Sequence, residues 1–136
     1  MTPQYWHQAM LELAACDPIM RNLIEHYEGS TLTSRGCAFT TLARSIVGQQ
    51  ISVKAAESVW QKISATIPVI NPDNIIATDH DVLRTCGLSA RKIDYLHDLS
   101  RHFLQGTFEE TTWIRMDDET LINELVQVKG IGRWTA

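Results

Sequence analysis

Apolar residues in this chain recur three and four positions apart, and no segment alternates over the length of a strand. Trp6, Ala9, Met10 and Leu13 share one helical face, and Met20, Leu23, Ile24 and Tyr27 share the next. Phe39, Leu42, Ala43 and Ile46 form a third, and Ala56, Val59, Trp60 and Ile63 a fourth. Ile93, Leu96 and Phe103 follow, then Leu121, Ile122 and Leu125. Polar and proline punctuation falls between these runs. Thr2-Pro3, Asp17-Pro18, Ser52, Asn71-Pro72, Asp79, Ser89 and Asp117 have the chemistry of helix starts, because a short side-chain oxygen can accept a free first-turn N–H and proline costs nothing there. Gly29, Gly48, Gly87 and Gly106 stand where helices should stop. Val69-Ile70 is too short to make a sheet. The pattern predicts an all-α chain of many short helices joined by tight capped turns.

The polar stretch Gly29–Gly36 is the best internal boundary. It separates an N-terminal helical part, residues 1–36, from a central helical subdomain, residues 37–136. A chain of 136 residues with 44% hydrophobic and 21% charged content can bury a core and does not read as disordered. Its 12 basic and 16 acidic residues leave a net charge of −4, so any basic patch must be local. Cys16, Cys37 and Cys86 are odd in number and widely spaced, which disfavours disulfides and a zinc site. They read as small buried hydrophobes in a reducing, cytoplasmic setting. The opening residues lack the basic and apolar runs of a secretory leader, and no apolar stretch is long enough to cross a membrane.

The most informative stretch is Val128-Lys-Gly-Ile-Gly-Arg133. Gly130 and Gly132 flank one apolar residue, with a helical pattern before them and helix formers after. Both glycines are expected at positive φ, where the backbone can approach a ligand that a side chain would exclude. A helix starting near Arg133 would then aim unpaired N–H groups and the positive end of its dipole outward. Ile131 would tuck between the two helices, and Lys129 and Arg133 would add charge. Such a turn suits a phosphate held without reading sequence. It is the pattern of a helix-hairpin-helix.

Three motifs in order make the reading specific: Arg44-Ser-Ile-Val-Gly-Gln-Gln-Ile-Ser52, Cys86-Gly-Leu-Ser-Ala-Arg-Lys92 and Val128-Lys-Gly-Ile-Gly-Arg-Trp-Thr-Ala136. Together they resemble the helix-hairpin-helix DNA glycosylase superfamily, within it the alkylpurine glycosylases of the 3-methyladenine glycosylase II type in their compact bacterial form. The likeness runs from the Tyr5-Trp6 helix through Ala136. It implies a protein of the bacterial cytoplasm, associated with the nucleoid, that flips a damaged base out of duplex DNA into a pocket between helical subdomains.

The resemblance assigns roles residue by residue. Lys129, Gly130, Ile131, Gly132, Arg133 and Thr135 would grip the DNA backbone, with a monovalent cation at the carbonyls of Val128 and Gly130. The loop Val47-Gly48-Gln49-Gln50 would fill the vacated stack, Val47 as an apolar wedge and the glutamines as partners of the orphaned base. Each glutamine reads equally well as a helix cap. Arg91 and Lys92 read as a solvated helix face. Trp134 stands where the strand-nicking branch of the superfamily carries its Schiff-base lysine. A tryptophan offers no amine for covalent chemistry and instead a π-face for an electron-poor base. Trp6, Trp60 and Trp113 read as packing.

The resemblance places the catalytic aspartate after the hairpin's second helix, beyond Ala136. It would stabilise the positive charge that builds on the sugar as the glycosidic bond breaks. No carboxylate of residues 1–136 stands at that position; Asp117 and Asp118 read as caps, and Glu109, Glu110 and Glu119 as surface. The family's fold is therefore expected to be incomplete here, favouring self-association or a completing chain. No cofactor is implied. Three other readings remain: a non-catalytic helix-hairpin-helix DNA-binding module, a protein-interaction domain favoured by the acidic balance, and a bifunctional glycosylase for oxidised bases.

Overall fold

The computed structural model describes residues 1–34 and 36–136; Arg35, in the polar loop, lies outside the described residues. These residues hold helices and turns and no strand. They form two compact units, Met1–Gly36 and Cys37–Ala136.

The first unit is a pair of helices, α1 (Trp6–Cys16) and α2 (Pro18–His26). Thr2-Pro3 does not begin α1. The Pro3 carbonyl accepts from Trp6 N at 3.1 Å in a turn, and the helix starts at Trp6 with no side-chain cap. Asp17 does cap α2, its Oδ1 accepting from Ile19 N at 2.8 Å and Met20 N at 3.3 Å. Neither helix buries any residue within its unit. Trp6, Met10, Leu13, Met20, Leu23 and Tyr27 instead line an apolar groove of about 210 Å³ between them.

The second unit holds α3 (Ala38–Gly48), α4 (Val53–Thr66), α5 (Pro72–Ala77), α6 (His80–Thr85), α7 (Ala90–Leu104), α8 (Glu110–Trp113) and α9 (Asp118–Leu125). Side-chain caps at Ser52, Asn71, Ser89 and Asp117 start α4, α5, α7 and α9, each accepting the N–H three residues on. Asp79 occupies the N-cap of α6 but makes no capping bond. Helix α7 is the axis, packed by α3, α5 and α6. Around it lie Ile46, Ile63, Ile75, Leu83, Ile93 and Leu99, each 1% exposed or less. Phe39, Phe103, Phe108 and Trp113 close the far end edge to face, at ring separations of 5.3–5.6 Å between successive partners. Trp113 also donates from Nε1 to Glu124 Oε1 at 2.8 Å, tying the short helix α8, which periodicity does not announce, to α9.

The cysteines depart from expectation. Cys86 is buried, but Cys16 and Cys37 are exposed, because each sits at a helix end rather than on an inward face. All three are unpaired thiols.

Candidate nucleic-acid interface

The chain leaves α9 at Leu125 and turns through Val128 to Ala136. Val128 and Ile131 are buried at 1% and 3% exposure and anchor the turn to the core. Ile131 N donates to Val128 O at 3.1 Å, closing the hairpin. Gly130 takes φ +87°, a conformation L side chains rarely adopt, and a Cβ there would overlap the ring of Tyr95 on α7. Gly132 differs from expectation: it is not in the left-handed region, and a Cβ on it would meet open space. The two glycines thus differ: the fold itself demands a glycine at 130, whereas no described residue opposes a side chain at 132.

The Gly132 carbonyl accepts from Thr135 N and Ala136 N, both at 3.0 Å, so a helical turn begins there. Among the described residues, the N–H groups of Gly132, Arg133 and Trp134 donate to no protein acceptor. They crown a single helical turn, where free N–H groups favour an anion. Lys129 and Arg133 are exposed beside them. The backbone N–H of Lys129 is taken by Asp98 Oδ2 on α7 at 2.9 Å, which pins the entry to the turn. Arg133 is not free: its Nη2 lies 2.7 Å from Glu119 Oε1.

The loop after α3 faces this hairpin. Val47 is not a wedge. It is 1% exposed and belongs to the core, since it continues the inward face of Phe39, Ala43 and Ile46. Gly48 ends the helix, as expected. Gln49 is half-buried and its Nε2 donates to Gly130 O at 2.7 Å, so the side chain expected on an orphaned base is committed to the hairpin. Gln50 is exposed at φ +59°, a non-glycine residue in left-handed backbone at the tip of the loop. Ile51 beyond it is 41% exposed.

Lys92 is absent from a solvated face. Its Nζ reaches from the start of α7 to the carbonyls of Val47 at 2.8 Å and Gln49 at 2.9 Å, serving the unpaired carbonyl end of α3. Burial lowers its pKa from the ordinary lysine value, since the ammonium has given up water for these two carbonyls. Arg91 is exposed. Residue type alone does not announce the bracing role of Lys92 or the pinning role of Asp98, because both act across long sequence separations.

Loop and hairpin enclose an open cleft of about 710 Å³, lined by Ser45, Gln49, Gln50, Gly130, Trp134 and Thr135 with the backbone of Gly48. Trp134 is fully exposed at its rim. The lining contains no carboxylate. The expected cation carbonyls are both engaged, Val128 O by Ile131 N and Gly130 O by Gln49 Nε2. Among the described residues no cluster of His, Cys, Asp or Glu is arranged to hold a metal. Among the described residues no helix is long and apolar enough to cross a membrane.

A hairpin with outward N–H groups, facing a glutamine loop across a cleft with an exposed tryptophan, defines an all-α helix-hairpin-helix protein. The chain belongs to the HhH-GPD superfamily of base excision DNA repair proteins, whose family model matches residues 43–135. It is 32% identical over 137 residues to DNA-3-methyladenine glycosylase 1 of Schizosaccharomyces pombe, covering 94% of this chain and 59% of that protein. It is 36% identical over 108 residues to the DNA-3-methyladenine glycosylase of Saccharomyces cerevisiae, covering 72% of this chain and 36% of that one. Among solved structures, the Schizosaccharomyces pombe 3-methyladenine DNA glycosylase in complex with abasic DNA matches with a TM-score of 0.81 at 29% identity. That match covers 94% of this chain and 66% of the other. The chain thus spans less than two thirds of the curated relatives it matches.

Proposed function

We propose that this chain carries the DNA-gripping and base-stacking half of a monofunctional glycosylase of the 3-methyladenine glycosylase II type. The reaction is hydrolysis of the N-glycosidic bond of alkylated purines in duplex DNA. The observation that carries the reading is Trp134, fully exposed at the rim of a cleft shared by the hairpin and the glutamine loop. An indole in the cleft lining is what a positively charged alkylated purine needs beside it. The names of the relatives support the substrate class.

In this reading the N–H groups of Gly132, Arg133 and Trp134 hold one backbone phosphate, with Lys129 and Arg133 adding charge. Thr135, half-buried in the cleft wall, offers a hydroxyl to the same strand. Gln50, rather than Val47, enters the stack and faces the orphaned base, while the flipped purine stacks on Trp134. With no carboxylate in the cleft lining, the acid that stabilises the developing sugar cation comes from outside residues 1–136. Water attacks, and because position 134 offers no amine, no Schiff base forms and the strand is not nicked. A reducing cytoplasm is the setting that three unpaired cysteines support.

The test is release of methylated purine from methylated duplex DNA, comparing residues 1–136 with the full product of the same gene. Release by the longer protein alone supports the assignment. Release by residues 1–136 makes one of their own carboxylates catalytic. If neither releases base, a non-catalytic DNA-binding module takes the place of this reading, and a borohydride-trapped adduct makes the enzyme bifunctional instead.

A further inference from the structure

The exposed tip of the loop is held in a conformation its own sequence does not favour. Gln50 sits at φ +59°, a strained region that a non-glycine residue keeps only where its surroundings impose it. The peptide plane that sets this angle is the one joining Gln49 to Gln50, and its oxygen is the Gln49 carbonyl. That oxygen accepts from Lys92 Nζ at 2.9 Å, and the same ammonium holds the Val47 carbonyl at 2.8 Å. One residue's backbone is thus fixed from α7, while its side chain crosses the cleft to Gly130 O at 2.7 Å. The Gly130 backbone is in turn seated on Tyr95, three residues along α7 from Lys92. Loop, hairpin and α7 therefore close a ring of contacts: Lys92 to Gln49, Gln49 to Gly130, and Gly130 to Tyr95.

We propose that Lys92 is a positioning residue that, through Gln49, locks the loop carrying Gln50 to the phosphate-gripping hairpin, so that gripping the strand and filling the vacated stack act as one rigid event. This rests on the reading given under Proposed function. Lys92 touches no DNA in this account. Two of its three ammonium donors are held by these carbonyls, and its contribution is to the geometry of residue 50. Without it the peptide plane between Gln49 and Gln50 is free to turn, residue 50 relaxes to negative φ, and the side chain leaves the cleft. The hairpin N–H groups stay where they are, because Asp98 and the buried Ile131 hold them independently. Lesion recognition should then suffer more than plain DNA binding.

The experiment uses the full-length protein and two duplexes, one plain and one with a stable abasic-site analogue opposite 2-aminopurine. Affinity for each is measured across salt concentration, together with 2-aminopurine fluorescence in the complex. Lys92→Met is expected to lose about tenfold in the ratio of abasic to plain affinity, and to lose the fluorescence change at the orphaned base. The salt slope on plain duplex is expected to stay fixed, whereas loss of a direct phosphate contact would flatten it by about 0.9. Gln49→Met is expected to lower the ratio too, and the double variant to lose no more than the worse single one, as members of one brace do. Lys92→Gln carries the same measurements should the methionine variant not fold. A ratio retained in the Lys92 variants, a flattened salt slope, or additive losses overturns the proposal. If the unsubstituted protein has no preference for the abasic duplex, the glycosylase reading itself fails and takes this proposal with it. A preference retained after Lys92 is replaced overturns the brace alone.

Discussion

Arg133 and Glu119 form an ion pair in which one guanidinium nitrogen is held by both carboxylate oxygens, at 2.7 and 3.0 Å. The two side chains are 59% and 67% exposed, so the pair is screened by water and salt and adds little to folding. Its consequence lies elsewhere. The carboxylate presents to Arg133 the oxygens a phosphate would present, and DNA must displace it. Glu119→Gln should therefore tighten binding to plain and lesion-bearing duplex alike, by roughly two- to fivefold at low salt, with the ratio between them unchanged. A fluorescence-anisotropy titration at two salt concentrations decides it. Weaker binding would mean that Glu119 aims Arg133 at the strand rather than competing for it.

The two hairpin glycines should separate under substitution. At Gly130 the left-handed φ and the Tyr95 ring both oppose a methyl group. Gly130→Ala should cost roughly 1–3 kcal/mol in stability and reduce DNA binding as a secondary effect of the shifted turn. At Gly132 nothing opposes a side chain from within. Gly132→Val should leave thermal unfolding nearly unchanged while abolishing the close approach of a phosphate. Circular dichroism melts beside binding isotherms give the two signatures. Equal stability losses at both positions would remove the distinction, and unchanged DNA affinity in Gly132→Val would remove the hairpin from the interface.

Trp134 packs on nothing within residues 1–136, so its loss should not disturb the fold of those residues. Trp134→Ala is expected to weaken binding to a duplex carrying a positively charged methylated purine by about 1–3 kcal/mol, the range for stacking of a base on an aromatic ring. Binding to the matched undamaged duplex should change by far less. Equal losses on both would make the indole a general strand contact instead of a pocket wall.

The sequence reveals the frame of this fold more fully than its site, for identifiable reasons. The caps at Asp17, Ser52, Asn71, Ser89 and Asp117 are local interactions, complete within three residues, and composition alone announces them. The inward faces of α3, α4 and α7 follow from the 3.6-residue period. That same period puts Val47 in the core, four residues after Ala43, and a wedge role for it sets motif position above periodicity. Gln49, Lys92, Asp98 and Glu119 are a different matter. Each makes its decisive bond to a residue 14 to 81 positions away. A polar side chain in a helix carries no mark of which distant carbonyl or N–H it will meet.

His97 gives the chain an acid-sensitive point away from the cleft. It lies on α7 with Arg101 and Asp94 on the same helix, His80 on α6 and the Ile75 carbonyl on α5 around it, and its Nε2 is buried without a partner among the described residues. Burial lowers its pKa first, and the positive charges of Arg101 and His80 lower it further, against smaller raising effects from Asp94 and the Ile75 backbone. The folded protein therefore resists a proton that the unfolded chain accepts at the ordinary value of 6.5. Above that pH both states carry a neutral ring and nothing is lost. As pH falls below it the unfolded state binds the proton first, and stability declines through the folded-state value. Thermal midpoints measured from pH 8 downward, about two units past the ordinary histidine value, should fall on the acid side. His97→Leu removes the titrating group along with the unpartnered nitrogen. That variant should flatten the limb with little change at neutral pH, since an apolar replacement for an unsatisfied polar group is nearly neutral. An acid limb of the same depth in both proteins would place the sensitivity in the carboxylates, with Asp117 the first to examine. Hydrogen bonds from the Thr120 backbone and then its hydroxyl already depress its pKa.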